Sequence, residues 1–190
     1  MKLIMENFRK FICESTIDAG IVSMIDKLQQ AGGKVQIEKY EVTIWIDNEP
    51  VAEIDFEPVD QMFGPCLKAS SISQSWARDG YGPLVYDIAI EHTGGLVSDR
   101  TEVSTRAERV WDYYATLRDD VQVDQLDITK DNVKDYGTRQ LTPRKKSDDC
   151  EQFLAYQSRG ADWNTSGLSK KVSKKGTPVI DELGKRKMII

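Results

Sequence analysis

The chain reads as an α+β protein: a mixed, mostly antiparallel sheet flanked by helices and followed by a basic C-terminal extension. Three observations predict this. Apolar residues at helical spacing alternate with apolar residues at strand spacing along residues 17–126. The pair Asp47-Asn48 separates two β-branched runs and reads as an antiparallel hairpin. The charge also changes sign: residues 1–140 carry 15 Lys and Arg against 25 Asp and Glu, whereas residues 141–190 carry 11 against 6. The whole chain has 190 residues, 39% hydrophobic, 30% charged, with a formal charge of −5. That composition is globular and long enough for one core plus an appendage.

Between Glu14 and Gly33, Ile17, Ile21, Met24, Ile25 and Leu28 fall at helical spacing, and Gly32-Gly33 is a stop signal. Val35, Ile37, Tyr40, Val42, Ile44 and Ile46 come close to alternation and read as one strand, which Asp47-Asn48 turns into a second through Val51, Ile54 and Phe56. A third strand is expected near Cys66 to Ser75, weakly apolar because serines at 70, 71, 73 and 75 fill half of it. After a Gly-rich turn, Leu84, Val85, Ile88, Ala89 and His92 lie near one helix face. Pro83 suits the first turn of that helix, where its missing N–H leaves nothing unpaired. Gly94-Gly95 leads to a short Leu96-Val97 strand. Ser104 then caps a helix with Ala107, Val110, Trp111 and Tyr114 on one face, and Val121 and Val123 follow as a strand. The expected domains are a core over residues 1–128, a polar linker over 129–147 and the basic extension over 148–190. In that extension Phe153, Leu154, Tyr156 and Trp163 are available to dock it on the body.

Several classes are excluded. No apolar run reaches the roughly 18 residues that a membrane-spanning helix requires. Met1 to Cys13 carries Lys2, Glu6, Arg9 and Lys10 in place of a signal-peptide core, so the expected location is the cytoplasm, with no membrane partner. Cys13, Cys66 and Cys150 are far apart with no C-x-x-C pair and read as reduced thiols, Cys66 as a buried one. His92 is the only histidine, which excludes any two-His metal site, and no metal is expected. The clusters Arg144-Lys145-Lys146, Lys170-Lys171, Lys174-Lys175 and Lys185-Arg186-Lys187 read first as a solvated or self-docking tail against the acidic body. Their second reading is a nucleic-acid contact over residues 144–187.

Chemistry concentrates at Arg78-Asp79-Gly80-Tyr81-Gly82-Pro83, a Gly-x-Gly turn between a strand and a helix N-terminus. Backbone N–H groups of such a turn, with the positive end of the helix dipole, hold an anion without a charged side chain. The turn is neither G-x-G-x-x-G, since Val85 occupies the third glycine position, nor a P-loop, since no Gly-Lys-Ser/Thr follows. Arg78 to Tyr86 resembles the acetyl-CoA pyrophosphate loop of the GNAT superfamily of N-acetyltransferases, whose motif is Arg/Gln-x-x-Gly-x-Gly/Ala. Ser104-x-x-Ala107-x-x-Val110-Trp111 resembles that family's later helix, usually Asn-x-x-Ala-x-x-Leu-Tyr. The resemblance covers residues 35–127, and Gly95 to Tyr114 is similar to small GNAT-like proteins of tailed bacteriophages. It departs in two places. The motif's basic residue falls at Ala77, with Arg78 displaced by one, and Trp111 stands where the family often has a Tyr acid.

The resemblance implies a GNAT-like fold and acetyl-CoA-dependent N-acyl transfer to an unidentified amine, on a protein or a small molecule. It assigns the cofactor to Ile72, Ser73, Arg78, Asp79, Gly80, Tyr81, Gly82 and Pro83. Strand N–H groups about Ile72 to Ser75 polarise the carbonyl, and the turn holds the pyrophosphate. Tyr114, three residues beyond Trp111 on the same helix face, is the candidate acid for the departing thiolate. For the base, Glu53, Asp55, Glu57, the Glu91-His92 pair and a water chain stay open. Each residue has a plainer reading. Glu53, Asp55 and Glu57 alternate with Ile54 and Phe56 and so mark a solvated strand face, His92 ends a helix and suits its dipole, and Trp111 and Tyr114 suit a core. The alternative function is a non-catalytic GNAT-fold binding or structural protein, of a phage virion or against a host factor in the host cytoplasm.

Overall fold

In the computed structural model, which describes residues 17–59, 66, 69–127, 141, 144–150 and 164–190, the first helix, α1 (Ala19–Gln30), starts at Asp18. The Asp18 carboxylate accepts the N–H groups of Gly20 at 2.9 Å and Ile21 at 3.3 Å, two donors that a helix start leaves unpaired. The residues read as one alternating strand form two, β1 (Lys34–Ile37) and β2 (Glu41–Ile46). The cause is parity. Val35 and Ile37 are odd-numbered while Val42 and Ile44 are even-numbered, so one continuous strand would turn one pair outward. A turn closed by the Glu38 N–H to Glu41 carbonyl bond of 2.8 Å lets Val35, Val42 and Ile44 all be buried. Asp47 and Asn48, both at positive φ, form the expected hairpin turn into β3 (Glu49–Pro58).

β4 (Ser70–Ala77) lies a few residues beyond the expected third strand. α2 (Gly82–Thr93), β5 (Leu96–Val97), α3 (Thr105–Leu117) and β6 (Gln122–Gln125) follow in the expected order, and the Ser104 hydroxyl accepts the Ala107 N–H at 3.1 Å. The basic region contributes two elements that the sequence pattern does not predict, β7 (Lys170–Ser173) and α4 (Pro178–Lys185). β7 lies between β5 and β6 in a seven-stranded mixed sheet of order β1-β2-β3-β4-β5-β7-β6. Among the strands of the described residues only β4 and β5 are parallel neighbours, and Ile189 adds a single parallel bridge to Val35. Val172 of β7 and Val179 and Leu183 of α4 are buried in the same core as α1 and α2. Residues 170–190 are therefore built into the sheet and its core. Most of the linker over 129–147, with Cys13, Phe153, Leu154, Tyr156 and Trp163, lies outside the described residues.

Buried charges tie this C-terminal part to α2. The Glu91 carboxylate accepts the N–H groups of Val179 at 2.9 Å and Ile180 at 3.0 Å, capping α4 from a neighbouring helix. Lys174 Nζ meets Asp87 at 2.7 Å and Glu91 at 3.3 Å, and Arg118 meets Asp87 at 2.8 Å and Asp120 at 2.7 Å. The side chains of Asp87, Glu91, Arg118 and Lys174 are at most 2% exposed. Burial raises the Asp120 carboxyl, but the Arg118 hydrogen bond and the Lys174 and Arg118 charges outweigh it and hold the group below its usual range. Lys174, part of a cluster expected to be solvated or to dock on the acidic body, is thus an interior cation paired with that body's carboxylates.

The reduced-thiol expectation is corrected: Cys66 and Cys150 are joined in a disulfide, with their Cα atoms 4.6 Å apart. The Cys66 N–H donates to the Asp149 carbonyl at 3.1 Å and the Cys150 N–H to the Asp127 carbonyl at 2.7 Å. Together they close a small second core with Ala69, Val97 and Leu126. A sequence separation of 84 residues conceals such a pairing, because only the fold brings the two segments side by side. No helix of the described residues is long and apolar enough to cross a membrane.

Candidate functional site

The parallel pair opens the sheet. β4 and β5 meet only at Ser70–Leu96 and Ser71–Val97, where β5 ends. β4 runs on to Ala77 against β3, so its other edge from Ile72 onward has no strand partner among the described residues. A bulge adds to the break. Asp55 pairs with Gln74 and Phe56 with Ile72, leaving Ser73 with no residue opposite.

At the end of β4 the chain turns into α2. Asp79 (φ 56°) and Gly80 (φ 83°) both take the left-handed conformation, which glycine adopts without strain and which Asp tolerates. Tyr81 N–H donates to the Arg78 carbonyl at 3.2 Å and Val85 N–H to the Tyr81 carbonyl at 3.1 Å. The N–H groups of Asp79, Gly80, Gly82 and Leu84 find no acceptor among the described residues, and α2 has no side-chain cap. Unpaired N–H groups clustered at a helix start favour an anion. Lys27 braces the turn from α1: its Nζ donates to the Asp79 carbonyl at 2.7 Å and lies 4.9 Å from the centre of the Tyr81 ring. Tyr81 itself is buried beneath the turn.

A cleft of about 640 Å³ opens beside the turn. Arg78, Asp79, Gly80, Gly82 and Pro83 form one wall, and Arg106, Arg109 and Val110 of α3 form the other. A second cleft, of about 140 Å³, is lined by Ile72, Ser73 and Gln74 of β4 and by Asp99 and Glu102. The two share Ser75, Tyr86, Ser104 and Ala107, so these residues stand where the clefts meet. Of the residues expected to hold the cofactor, Ile72 and Ser73 line the smaller cleft and Arg78, Asp79, Gly80, Gly82 and Pro83 the larger, whereas Tyr81 lines neither: its ring is buried and its N–H is donated to the Arg78 carbonyl.

Two tyrosines face this region. The Tyr114 hydroxyl donates to Asp87 Oδ1 at 2.7 Å and to the Pro83 carbonyl at 3.1 Å, and its ring stacks on Tyr86 with centroids 6.1 Å apart. Burial, and then the Asp87 charge, push its phenol well above the usual range. Tyr86 holds its hydroxyl 2.9 Å from the Ser75 hydroxyl, and burial raises its phenol too, against the lowering effect of that bond. Both phenols keep their protons at neutral pH and suit acids, not bases. The Tyr114 O–H is already directed at a carboxylate and a carbonyl, whereas among the described residues the Tyr86 hydroxyl meets only the Ser75 hydroxyl. Sequence reasoning assigned Tyr86 no role. The available signal was its place one helical turn after Gly82, which points it back toward the turn.

The other candidates are spread out. Trp111 is buried edge-on against Tyr86 with centroids 6.2 Å apart, as a core residue. Ile54 and Phe56 are buried while Glu53 and Asp55 are half-buried and Glu57 is exposed, as strand alternation requires. His92 lies beside the Phe56 ring at 5.8 Å, and Glu91 is engaged by α4. Asp127, Asp148 and Asp149 bring one carboxylate oxygen each within 4.8 Å, but Asp148 meets Lys145 at 3.2 Å and Asp127 accepts the Leu141 N–H at 2.9 Å. No protein-family model matches the chain, and no curated protein or solved structure does either.

Proposed function

We propose that the protein is an acetyl-CoA-dependent N-acyltransferase of GNAT-like architecture. One observation carries the reading: the edge of β4 that leaves β5 runs into a turn of unpaired N–H groups at the uncapped start of α2, beside a cleft of about 640 Å³. The residues fit such a ligand. A Cβ built on Gly82 would meet only the Ala77 Cβ, at 3.7 Å, so the backbone there is open to an approaching group. Acetyl-CoA supplies an acyl thioester; attack by a neutral amine forms the C–N bond and breaks the C–S bond, the nitrogen gives one proton to a base or solvent, and the CoA thiolate leaves and takes one up as the free thiol. In this reading Gly80, Gly82 and Leu84 donate N–H groups to the diphosphate, with Lys27 behind them. The open edge of β4 about Ile72 to Ser75 donates to the carbonyl oxygen. Asp99 and Glu102 make the second cleft attractive to a cationic amine.

A second reading is a non-catalytic binder built on the same frame. It is favoured by the commitment of the Tyr114 proton to Asp87. Free-thiol release from acetyl-CoA, in the presence of a panel of polyamines, lysine peptides and small primary amines, separates the two. The enzyme reading predicts release that depends on the amine and falls at least tenfold in Gly82→Trp. Acetyl-CoA that binds but gives no amine-dependent release selects the binder.

A further inference from the structure

Arg106 and Arg109 lie on one face of α3, three residues apart, and both line the larger cleft. Their position is unfavourable for stability. Arg106 lies in the first turn of the helix, where the macrodipole is already positive, and the last turn, which favours cations, has no basic residue. Like charges at this spacing also repel. The described arginines divide sharply. Arg100 donates to the Ser98 hydroxyl and to the Leu168 and Cys150 carbonyls, Arg118 pairs with Asp87 and Asp120, and Arg186 pairs with Asp26 and Glu182. Arg78, Arg106, Arg109 and Arg144 show no side-chain partner among the described residues, and the first three all line this one cleft. In a chain of formal charge −5, three guanidinium groups that are unpaired among the described residues thus surround one cavity, and Asp79 is the only acid among its described lining residues.

We infer that Arg106 and Arg109 are the phosphate-reading side of the cofactor cleft, supplying from α3 the guanidinium contacts that the Ala77 position lacks. The inference rests on the acyltransferase reading and deepens it: the wall facing the turn recognises the phosphate groups of the nucleotide end of CoA. A local conflict with helix stability is the expected mark of residues kept for binding. Guanidinium groups suit the role because their fork of donors matches phosphate oxygens in pairs.

The test is a calorimetric titration of CoA, dephospho-CoA and pantetheine into the wild-type chain and the double variant Arg106→Gln/Arg109→Gln, at low and high salt. CoA affinity is expected to fall at least roughly tenfold in the variant, the scale of one lost charged hydrogen bond, with a weaker salt dependence. Pantetheine, which lacks phosphates, is expected to lose nothing. Arg106→Lys/Arg109→Lys is expected to restore part of the affinity, and Arg144→Gln to change nothing. Relieved of like-charge repulsion, the ligand-free Gln variant is expected to melt no lower than wild type. Equal CoA affinity in wild type and the Gln variant overturns this inference and leaves the acyltransferase reading standing. Equal loss for CoA and pantetheine also overturns it, because the arginines then act on the cleft's shape. Failure of the wild-type chain to bind any of the three overturns the acyltransferase reading itself.

Discussion

Asp87→Ala is expected to lower the free energy of unfolding by about 3–5 kcal/mol, the usual result of removing one partner from a buried ion pair. Asp87 is fully buried and is the shared anion of Arg118 at 2.8 Å, Lys174 at 2.7 Å and the Tyr114 hydroxyl at 2.7 Å. Without it two interior cations face only Glu91 and Asp120. The loss should exceed that of a surface pair such as Lys185–Glu182, which at 3.9 Å and largely exposed contributes about 0–1 kcal/mol. Urea unfolding of Asp87→Ala beside Lys185→Ala measures both. Because the network joins α2, the end of α3 and the start of α4, the Asp87 variant should also lose hydrogen-exchange protection around 178–185 before the hairpin of β2 and β3 does. A loss under 1 kcal/mol would contradict a cooperative interior network.

Reduction of the Cys66–Cys150 disulfide is expected to lower stability by about 2–4 kcal/mol, since the cross-link closes a long loop of the unfolded chain. Urea midpoints with and without reductant test this, with Cys66→Ala, Cys150→Ala and the double variant as controls. The three variants should be equally stable and indifferent to reductant. A wild-type midpoint unmoved by reductant would show that the pairing contributes nothing. Disulfides persist in oxidising surroundings, so the stability of the segment around Asp127, Asp148 and Asp149 is expected to follow the redox poise.

What the sequence disclosed depended on how local each signal is. The hairpin at Asp47-Asn48, the Ser104 cap and the turn at 78–82 each rest on residues within one turn of one another, and all three form as expected. The split between β1 and β2 was legible only as a shift from odd to even apolar positions. β7 was not legible: Lys170-Lys171-Val172-Ser173 has one apolar residue, and it becomes a strand because β5 and β6 offer edges on both sides. Lys174 became interior for the same reason, since its neutralising carboxylates come from α2 and from Asp120. Of the candidate site, the loop residues were readable as a motif. Tyr86, Arg106 and Arg109 were not singled out, because only the packing of α3 across the turn makes them neighbours.

The central claim, that the turn at 78–82 and the cleft beside it hold acetyl-CoA, is tested most directly by calorimetric titration of acetyl-CoA into the wild-type chain and Gly82→Trp. A Cβ at Gly82 would meet the Ala77 Cβ at an ordinary 3.7 Å, and Gly82 lines the cleft, so the indole is expected to extend into the cleft and leave the ligand-free melting midpoint near that of wild type. The account predicts saturable one-to-one binding by the wild-type chain that Gly82→Trp abolishes. Absence of binding by the wild-type chain at millimolar acetyl-CoA, or equal binding by both, would contradict it.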